Sequence, residues 1–481
     1  MSLRSVLGRV GLSAVIVASP AGAQATLSDS VSRWVDSIFA PYAHPDSPGC
    51  AVGVVQKGSL ALAKGYGMAD LEHSVPISPD SRFYIASISK QFTAMSIILL
   101  EQDGRLTLDD SIQQWVPEVP SFGVKITLRH LLQHTSGLRD YFTLLALSGW
   151  PTDGQLSEQQ FLSLIGHQKD LNFNPGDEFL YSNTGYALLA IVVKRVSGKS
   201  LKDYAAEHIF KPLGMTSTMF RDDHTSLVPD RALGYQPVNS TFHISQPQFD
   251  IVGDGGVYST VADLAKWDAN FRSGKVGGKE AIALLQTPGK LNDGQPIPYA
   301  LAISVGEFHG LKTFSHSGSY GGYRSTFLRV PAKNVSVITL CNTSDAPGTL
   351  AEQVASVVLN FAAQKTTVAS YGLPTSSLWL SGTAQSPNDS IAVRIRASQL
   401  ARIAGNYYSA ELDLPVTIVA RESALVLQRA QSDELRFSPV SDDLFTNSDQ
   451  MLLKVVRDDA GNVTGIRLTI NRVRDLEFSR R

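Results

Sequence analysis

The sequence predicts an α+β architecture: one antiparallel sheet flanked by helices, with an inserted helical lobe, followed by a small all-β barrel. Three observations lead there. Strand-like segments both open and close the larger, N-terminal part of the chain. Helical patterns fill the stretch between them. The C-terminal part is a run of short alternating segments spaced by turn residues.

Size and charge bound the rest. The chain has 481 residues, 43% of them hydrophobic, which is ample for a core and long for one domain. Its 42 basic and 44 acidic residues leave a net charge of -2. Without a dense Lys/Arg cluster, no nucleic-acid partner is expected.

Residues 1–25 read as an export signal. Arg4 and Arg9 precede a short apolar run, Val10 to Ala18, and Ala21-Gly22-Ala23 and Ala23-Gln24-Ala25 both fit a cleavage site. The run is too short to span a bilayer, and no other segment qualifies. A periplasmic or extracellular protein is therefore expected. The two cysteines, Cys50 and Cys341, each lie in or beside a predicted strand. Two buried thiols are the default there, with a disulfide left open because sequence gives no Cα separation.

The main domain is expected over residues 26–365. Leu27 to Tyr42 carries apolar residues at helical spacing, closed by Pro41 and Pro45. Cys50 to Val55 and Leu60 to Tyr66 read as a hairpin turning at Lys57-Gly58-Ser59. Helices follow at Thr93 to Gln102, at Leu128 to His134 behind a Thr127 cap, and at Tyr186 to Val196 before Gly198. Strands return at Leu301 to Val305, Thr313 to His316, Tyr323 to Val330 and Val335 to Leu340, and Gly348 to Ala363 reads as a closing helix. A Ser/Thr/Pro-rich linker is placed at 366–397 and the barrel at 398–481. Six barrel strands are recognised between Pro415 and Phe478. Tyr141 to Gln168 and Arg221 to Gln248 read as loops and are expected to shape a pocket.

The chemistry concentrates in Ala86-Ser87-Ile88-Ser89-Lys90, where a loop gives way to a helix. Lys90 follows Ser87 by about one helical turn. A serine hydroxyl is a poor nucleophile, and an amine kept neutral by burial or nearby positive charge can take its proton. Alone, Ser-x-x-Lys is a weak pattern. Two more elements strengthen it. Tyr181-Ser182-Asn183 opens the buried Tyr186 helix, and a tyrosine there can relay protons once a lysine ammonium lowers its pKa. His316-Ser317-Gly318 ends a predicted strand before Ser319; an edge strand there can offer an N–H to an oxyanion, and the glycine lets substrate approach. Each has a plain structural reading, a helix cap and a hairpin turn. His130 and His134 have metal-like spacing, but Leu131 stands where a metalloprotease carries Glu. Gly253-Asp254-Gly255-Gly256 lacks the ending of a phosphate loop.

Together these motifs resemble the penicillin-recognising serine hydrolases, on the side of class C β-lactamases, D-stereospecific aminopeptidases and related esterases. The resemblance extends through Leu128 to Leu138, Pro175-Gly176, Phe210 to Met215 and Gly255 to Thr260, and so over most of the main domain. The C-terminal segment is similar to the lipocalin-like barrel appended to some members. The resemblance implies a serine β-lactamase-like fold and an acylated Ser87, with Lys90 and Tyr181 sharing acid and base duties. It implies that Asn183, His316 and Gly318 border the substrate, and that the N–H groups of Ser87 and Ser319 hold the oxyanion. No metal or organic cofactor is implied; the partner is a small-molecule or peptide substrate, and oligomeric state stays open. One departure shifts the expected substrate. His316-Ser317-Gly318 replaces the Lys-Thr-Gly or Lys-Ser-Gly of many β-lactamases, and a mostly neutral histidine suits esters, amides or D-amino-acid peptides better than β-lactams. A β-lactamase, a DD-carboxypeptidase and a non-catalytic binding module are the alternatives.

Overall fold

The computed structural model describes residues 26–151, 154–361, 395–429 and 432–481. The export signal expected at 1–25, and the linker expected at 366–397 up to residue 394, lie outside them.

Six antiparallel strands form the main sheet: β1 (Cys50–Gln56), β2 (Ser59–Tyr66), β3 (Ser304–Phe308), β4 (Leu311–Tyr320), β5 (Tyr323–Val330) and β6 (Val335–Cys341). Their order is β3-β4-β5-β6-β1-β2, so the two ends of the domain meet where β1 pairs with β6. Both sheet faces are covered, and β1 divides its residues between them. Cys50, Val52 and Val54 pack with Val35 and Phe39 of helix α1 (Asp29–Phe39) and with Leu350 and Val354 of a C-terminal helix (Leu350–Val358). Ala51 and Val55 face the larger core shared with the helical lobe. That is the two-residue period of a strand buried on both sides.

The register settles the cysteines. Cys50 lies directly opposite Cys341, and the two form a disulfide. The default of two free thiols is overturned because the pairing depends on strands 291 positions apart.

Within the lobe, α2 (Lys90–Gln102) and α5 (Asn183–Ser197) are the buried pair. Between them, α3 (Leu128–Leu132) starts at a Thr127 cap and α4 (Tyr141–Ser148) at an Asp140 cap. α5 stops at Gly198, whose φ of 75° suits glycine. One helix, α6 (Val261–Ser273), lies so close to β1 that a Cβ on Gly53 would sit 3.0 Å from Val261.

Two expectations need correction. The strand expected at Leu301 to Val305 begins at Ser304 instead. Leu301, Ala302 and Ile303 are buried, and Ala302 has a φ of 63°, so a buried turn carries the apolar run. The segment from Tyr141 to Gln168 is largely helical, holding α4 and a second helix at Glu158–Gly166.

The C-terminal strands close into an eight-stranded barrel: β7 (Gly405–Ser409), β8 (Leu414–Arg421), β9 (Ala424–Arg429), β10 (Ser432–Ser441), β11 (Leu444–Thr446), β12 (Leu452–Arg457), β13 (Val463–Ile470) and β14 (Val473–Arg480). Each pairs with its sequence neighbour, and β7 closes on β14. β7 and β11 are the strands the sequence did not reveal. The barrel core includes Leu144 and Leu147 of α4, so the barrel is seated on the main domain through that helix.

Candidate active site

Ser87 lies in a tight turn, Ala86–Ser89, that runs directly into α2. Ala86 holds a φ of 46°, unusual for a residue with a Cβ, and this sharp entry presents Ser87 above the helix. β4 packs against the turn. Only its first half is paired with β3, up to Ser315, so His316 to Tyr320 form a local edge beside Ser87. β4 as a whole is therefore an inner strand with one free end.

Gly318 is needed at that contact. A Cβ there would sit 2.3 Å from both the Ile85 oxygen and the Ser325 Oγ. The space that the sequence assigned to substrate is filled by the nucleophile's own turn. Ser325 Oγ also donates to the Ile85 oxygen at 2.8 Å, tying β5 to the same turn.

Lys90 is fully buried, and its Nζ lies 3.0 Å from Ser87 Oγ. It also donates to Asn183 Oδ1 at 2.9 Å and to the Asp254 carbonyl at 2.6 Å. Burial pushes its pKa down to about 7; the Arg472 guanidinium pushes the same way, while Asp254 and Asp140 oppose. As a neutral amine, Lys90 keeps two N–H donors for those two fixed acceptors. Its lone pair then faces the Ser87 hydroxyl.

Asn183 starts α5. Its backbone N–H and Nδ2 both donate to Asp140 Oδ2, at 2.7 and 2.9 Å. The amide is thus clamped between Asp140 and Lys90. Tyr181 faces Ser87, which lowers its pKa against the larger effect of burial. Here the structure corrects the expected tuning: burial raises the Tyr181 pKa above that of a free phenol. The cation that opposes this rise is Arg472, not Lys90. Tyr181 is a protonated phenol at neutral pH.

His316 is buried, with Nδ1 donating to the Ser317 carbonyl at 2.7 Å and Nε2 accepting from the Tyr299 hydroxyl at 2.9 Å. Burial first and Lys90 second push its pKa down to about 3, so it stays neutral. Ser319 is exposed on the free end of β4. His134, set aside as a metal ligand, packs against Tyr181 with ring centroids 4.1 Å apart and planes tilted by 36°, and accepts from the Ser182 N–H. His130 completes the Thr127 cap. Two surface groups, Asp70/Glu72/His73 and Asp223/His224/Asp250, have metal-like proximity. In each, one aspartate carboxylate already accepts backbone N–H groups of its local turn.

Sequence reasoning missed two residues. Asp140 clamps Asn183, and its only local sign is its place as a cap before α4. Arg472 comes from the β13–β14 turn of the barrel. Its guanidinium lies 4.7 Å from the Tyr181 ring centre and 3.8 Å from Asp140 Oδ2. Its carbonyl accepts from Asn172 Nδ2 and from the Asp140 N–H.

Residues 35–359 match the Beta-lactamase family. The chain is 28% identical over 337 residues to a D-aminopeptidase of Gluconobacter oxydans, covering 69% of this chain and 63% of that protein. It is 32% identical over 302 residues to penicillin-binding protein 4* of Bacillus subtilis, covering 59% of this chain and 66% of that one. It therefore spans less than two thirds of the length of these relatives. Among solved structures, a penicillin binding protein from Bacillus halodurans is 26% identical with a TM-score of 0.58, covering 68% of this chain and 99% of its own. An octameric penicillin-binding protein homologue from Pyrococcus abyssi, 22% identical with a TM-score of 0.59, covers 93% of this chain and 99% of its own, barrel region included; it speaks for the fold alone.

Proposed function

The chain belongs to the Beta-lactamase family, here on the serine hydrolase side populated by D-aminopeptidases and penicillin-binding proteins, and from that premise we propose that it is an exported hydrolase of ester or amide bonds, D-amino-acid peptides included, acting through an acyl-Ser87 intermediate. The observation that carries this reading is the Lys90 Nζ, buried 3.0 Å from Ser87 Oγ with its other two bonds on fixed acceptors. Lys90 takes the Ser87 proton as Oγ attacks the carbonyl carbon. The backbone N–H groups of Ser87 and Ser319 hold the oxyanion, and Gly318 keeps β4 close enough for that. Tyr181 passes a proton to the leaving group, and the acyl-Ser87 ester remains. Water then attacks the ester, gives its proton back through Tyr181 and Lys90, and frees Ser87. Asn183 orients the substrate carbonyl side, and His316 holds Tyr299 and the β4 backbone in place beside Tyr181.

Three features support the finer parts. Relatives named D-aminopeptidase favour amides of D-amino acids. His316, neutral and internally bonded, provides no charge for a β-lactam carboxylate. The Cys50–Cys341 disulfide fits an oxidising compartment and so export. No helix among the described residues is long and apolar enough to cross a membrane.

The test is hydrolysis of a short-chain nitrophenyl ester by the mature protein, Ser87→Ala and Lys90→Ala. Both variants should lose about 10³-fold or more in kcat with circular dichroism unchanged. Wild-type turnover in folded Ser87→Ala would sink the assignment. Rapid penicillin turnover would move the substrate to β-lactams while leaving Ser87 in place.

A further inference from the structure

Tyr181 lies outside helix and strand, one position before the Ser182 cap of α5. Its segment is held by the turn that follows α3. The Asn172 N–H donates to the Gly137 carbonyl at 2.7 Å, the Gly176 N–H to the Thr135 carbonyl at 2.8 Å, and the Leu180 N–H to the His134 carbonyl at 2.9 Å. The ladder ends on His134, and there the side chain takes over. Its Nδ1 accepts from the Ser182 N–H at 3.1 Å. One residue therefore grips the backbone on both sides of Tyr181. Its ring also backs the phenol: the centroids are 4.1 Å apart, whereas His316 and Tyr299 lie 6.2 and 6.3 Å from the same ring.

The backbone of His134 is bent for this contact. Its φ is 58°, in the left-handed region that a residue with a Cβ enters at a cost. Such strain persists where surrounding contacts over-determine it, and it gathers at working sites. The ring is buried, and burial first, then Lys90, His316 and Arg472, push its pKa well below that of a free imidazole. It is neutral, and because Nδ1 is the acceptor, the proton sits on Nε2. Among the described residues that Nε2 has no hydrogen-bond partner. Tyr186 and Tyr299 flank the imidazole, with centroids 5.1 and 4.8 Å away. A ring bonded only to backbone, with no acceptor for its proton, is poorly placed to relay protons. What it controls is where Tyr181 stands.

We propose that His134 is a positioning residue for the acid step: through Nδ1 and its own carbonyl it fixes the backbone on either side of Tyr181, and so sets the distance from the Tyr181 hydroxyl to the leaving-group atom. The inference rests on the acyl-Ser87 reading, in which Tyr181 protonates the leaving group. A misplaced acid slows poor leaving groups and spares good ones, because nitrophenolate departs without a proton and an alkoxide does not. Loss of packing alone would slow both alike.

The experiment measures kcat/KM on the full chain for p-nitrophenyl, phenyl and ethyl acetate, with the wild type, His134→Asn, His134→Gln, Tyr181→Phe and the Tyr181→Phe/His134→Gln pair. Asparagine places an oxygen where Nδ1 stands and tolerates positive φ; glutamine reaches the Nε2 position and leaves the Nδ1 position empty. His134→Gln should lose about 10²-fold on ethyl acetate and less than about 5-fold on the nitrophenyl ester. His134→Asn should keep the wild-type ratio of the two rates within about 3-fold. Adding His134→Gln to Tyr181→Phe should change that ratio no further, since the acid it positions is gone. His134→Leu, which has the shape of asparagine without the acceptor, takes the place of glutamine if that variant does not fold. Equal losses on all three esters, a glutamine variant that keeps the ratio, or a further change of ratio in the Tyr181→Phe background overturns the inference while Ser87-dependent turnover persists. A wild-type ratio in Tyr181→Phe overturns the acid role of Tyr181 and the inference with it. Turnover that survives Ser87→Ala overturns the acyl-Ser87 reading instead.

Discussion

At Lys90 the same burial that makes the amine expensive to charge makes it useful. With a pKa of about 7, the amine is largely neutral above that pH and largely ammonium below it. The acidic limb of kcat/KM should therefore fall near pH 7, since only the neutral amine accepts the Ser87 proton. Arg472 helps to hold the value down. Removing a cation stabilises the remaining one, so Arg472→Ala should raise the Lys90 pKa and move the acidic limb to higher pH. Arg472→Lys should bring it part of the way back. A pH–rate profile in which Arg472→Ala leaves the limb in place would show that the guanidinium has no hold on Lys90. Ser87, Lys90, Tyr181 and Asn183 were legible in the sequence because each pair sits within one turn or at one helix start. Arg472 was not. It reaches Tyr181 from a turn almost three hundred positions away, in a barrel whose sequence carries no chemistry of its own. The Tyr181 pKa was misjudged for a related reason: the motifs point to a lysine beside Tyr181, whereas the depth at which both groups are buried is not visible in sequence.

Strand β4 shows what an element adds to the residues it carries. Its free end must lie against the Ile85 to Ser87 turn, and Gly318 sets how close it comes. In Gly318→Ala the new methyl would meet the Ile85 oxygen at 2.3 Å, a backbone atom that yields only if the Ser87 turn moves. Overpacking of this kind costs about 1–3 kcal/mol of stability, and a displacement near 1 Å costs about 10²-fold in rate. Urea unfolding and ester turnover on the same preparation separate the two effects. Full activity in a folded Gly318→Ala variant would mean that β4 does not position the nucleophile. Most elements of the fold were legible because their periods are regular, as in β1, β2 and α5. The failures share a cause. At Leu301 to Ile303 a buried turn has the composition of a strand, and β11 is three residues long, too short to show alternation. The Cys50–Cys341 bond follows from strand register, which no local pattern reports.

On the scale of the whole molecule, the barrel completes the site that the main domain begins. Among the described residues the two meet along helix α4 and around Asp140. Arg139 pairs there with Glu411 of the barrel, both buried, and its Nη2 donates to the Arg474 carbonyl at 3.0 Å. Arg474 in turn bridges to Glu178 at 2.9 Å. These contacts hold the β13–β14 turn so that Arg472 rests on Tyr181. Docking and catalysis should then be coupled. Arg139→Ala strands the Glu411 carboxylate in a buried interface, a loss that typically costs about 3–5 kcal/mol. Because Arg472 is carried on the barrel, loosening that interface should also move the acidic limb of kcat/KM upward, as Arg472→Ala does. Combining Arg139→Met with Glu411→Leu removes both charges, and should recover much of the thermal stability while keeping Arg472 in reach. The discriminating result is the pair of readouts taken together. A destabilised Arg139→Ala with an unshifted pH profile would make the barrel a passive cover. A shift that matches Arg472→Ala, and that reverts in the double variant, would make its docking a determinant of the charge on Lys90.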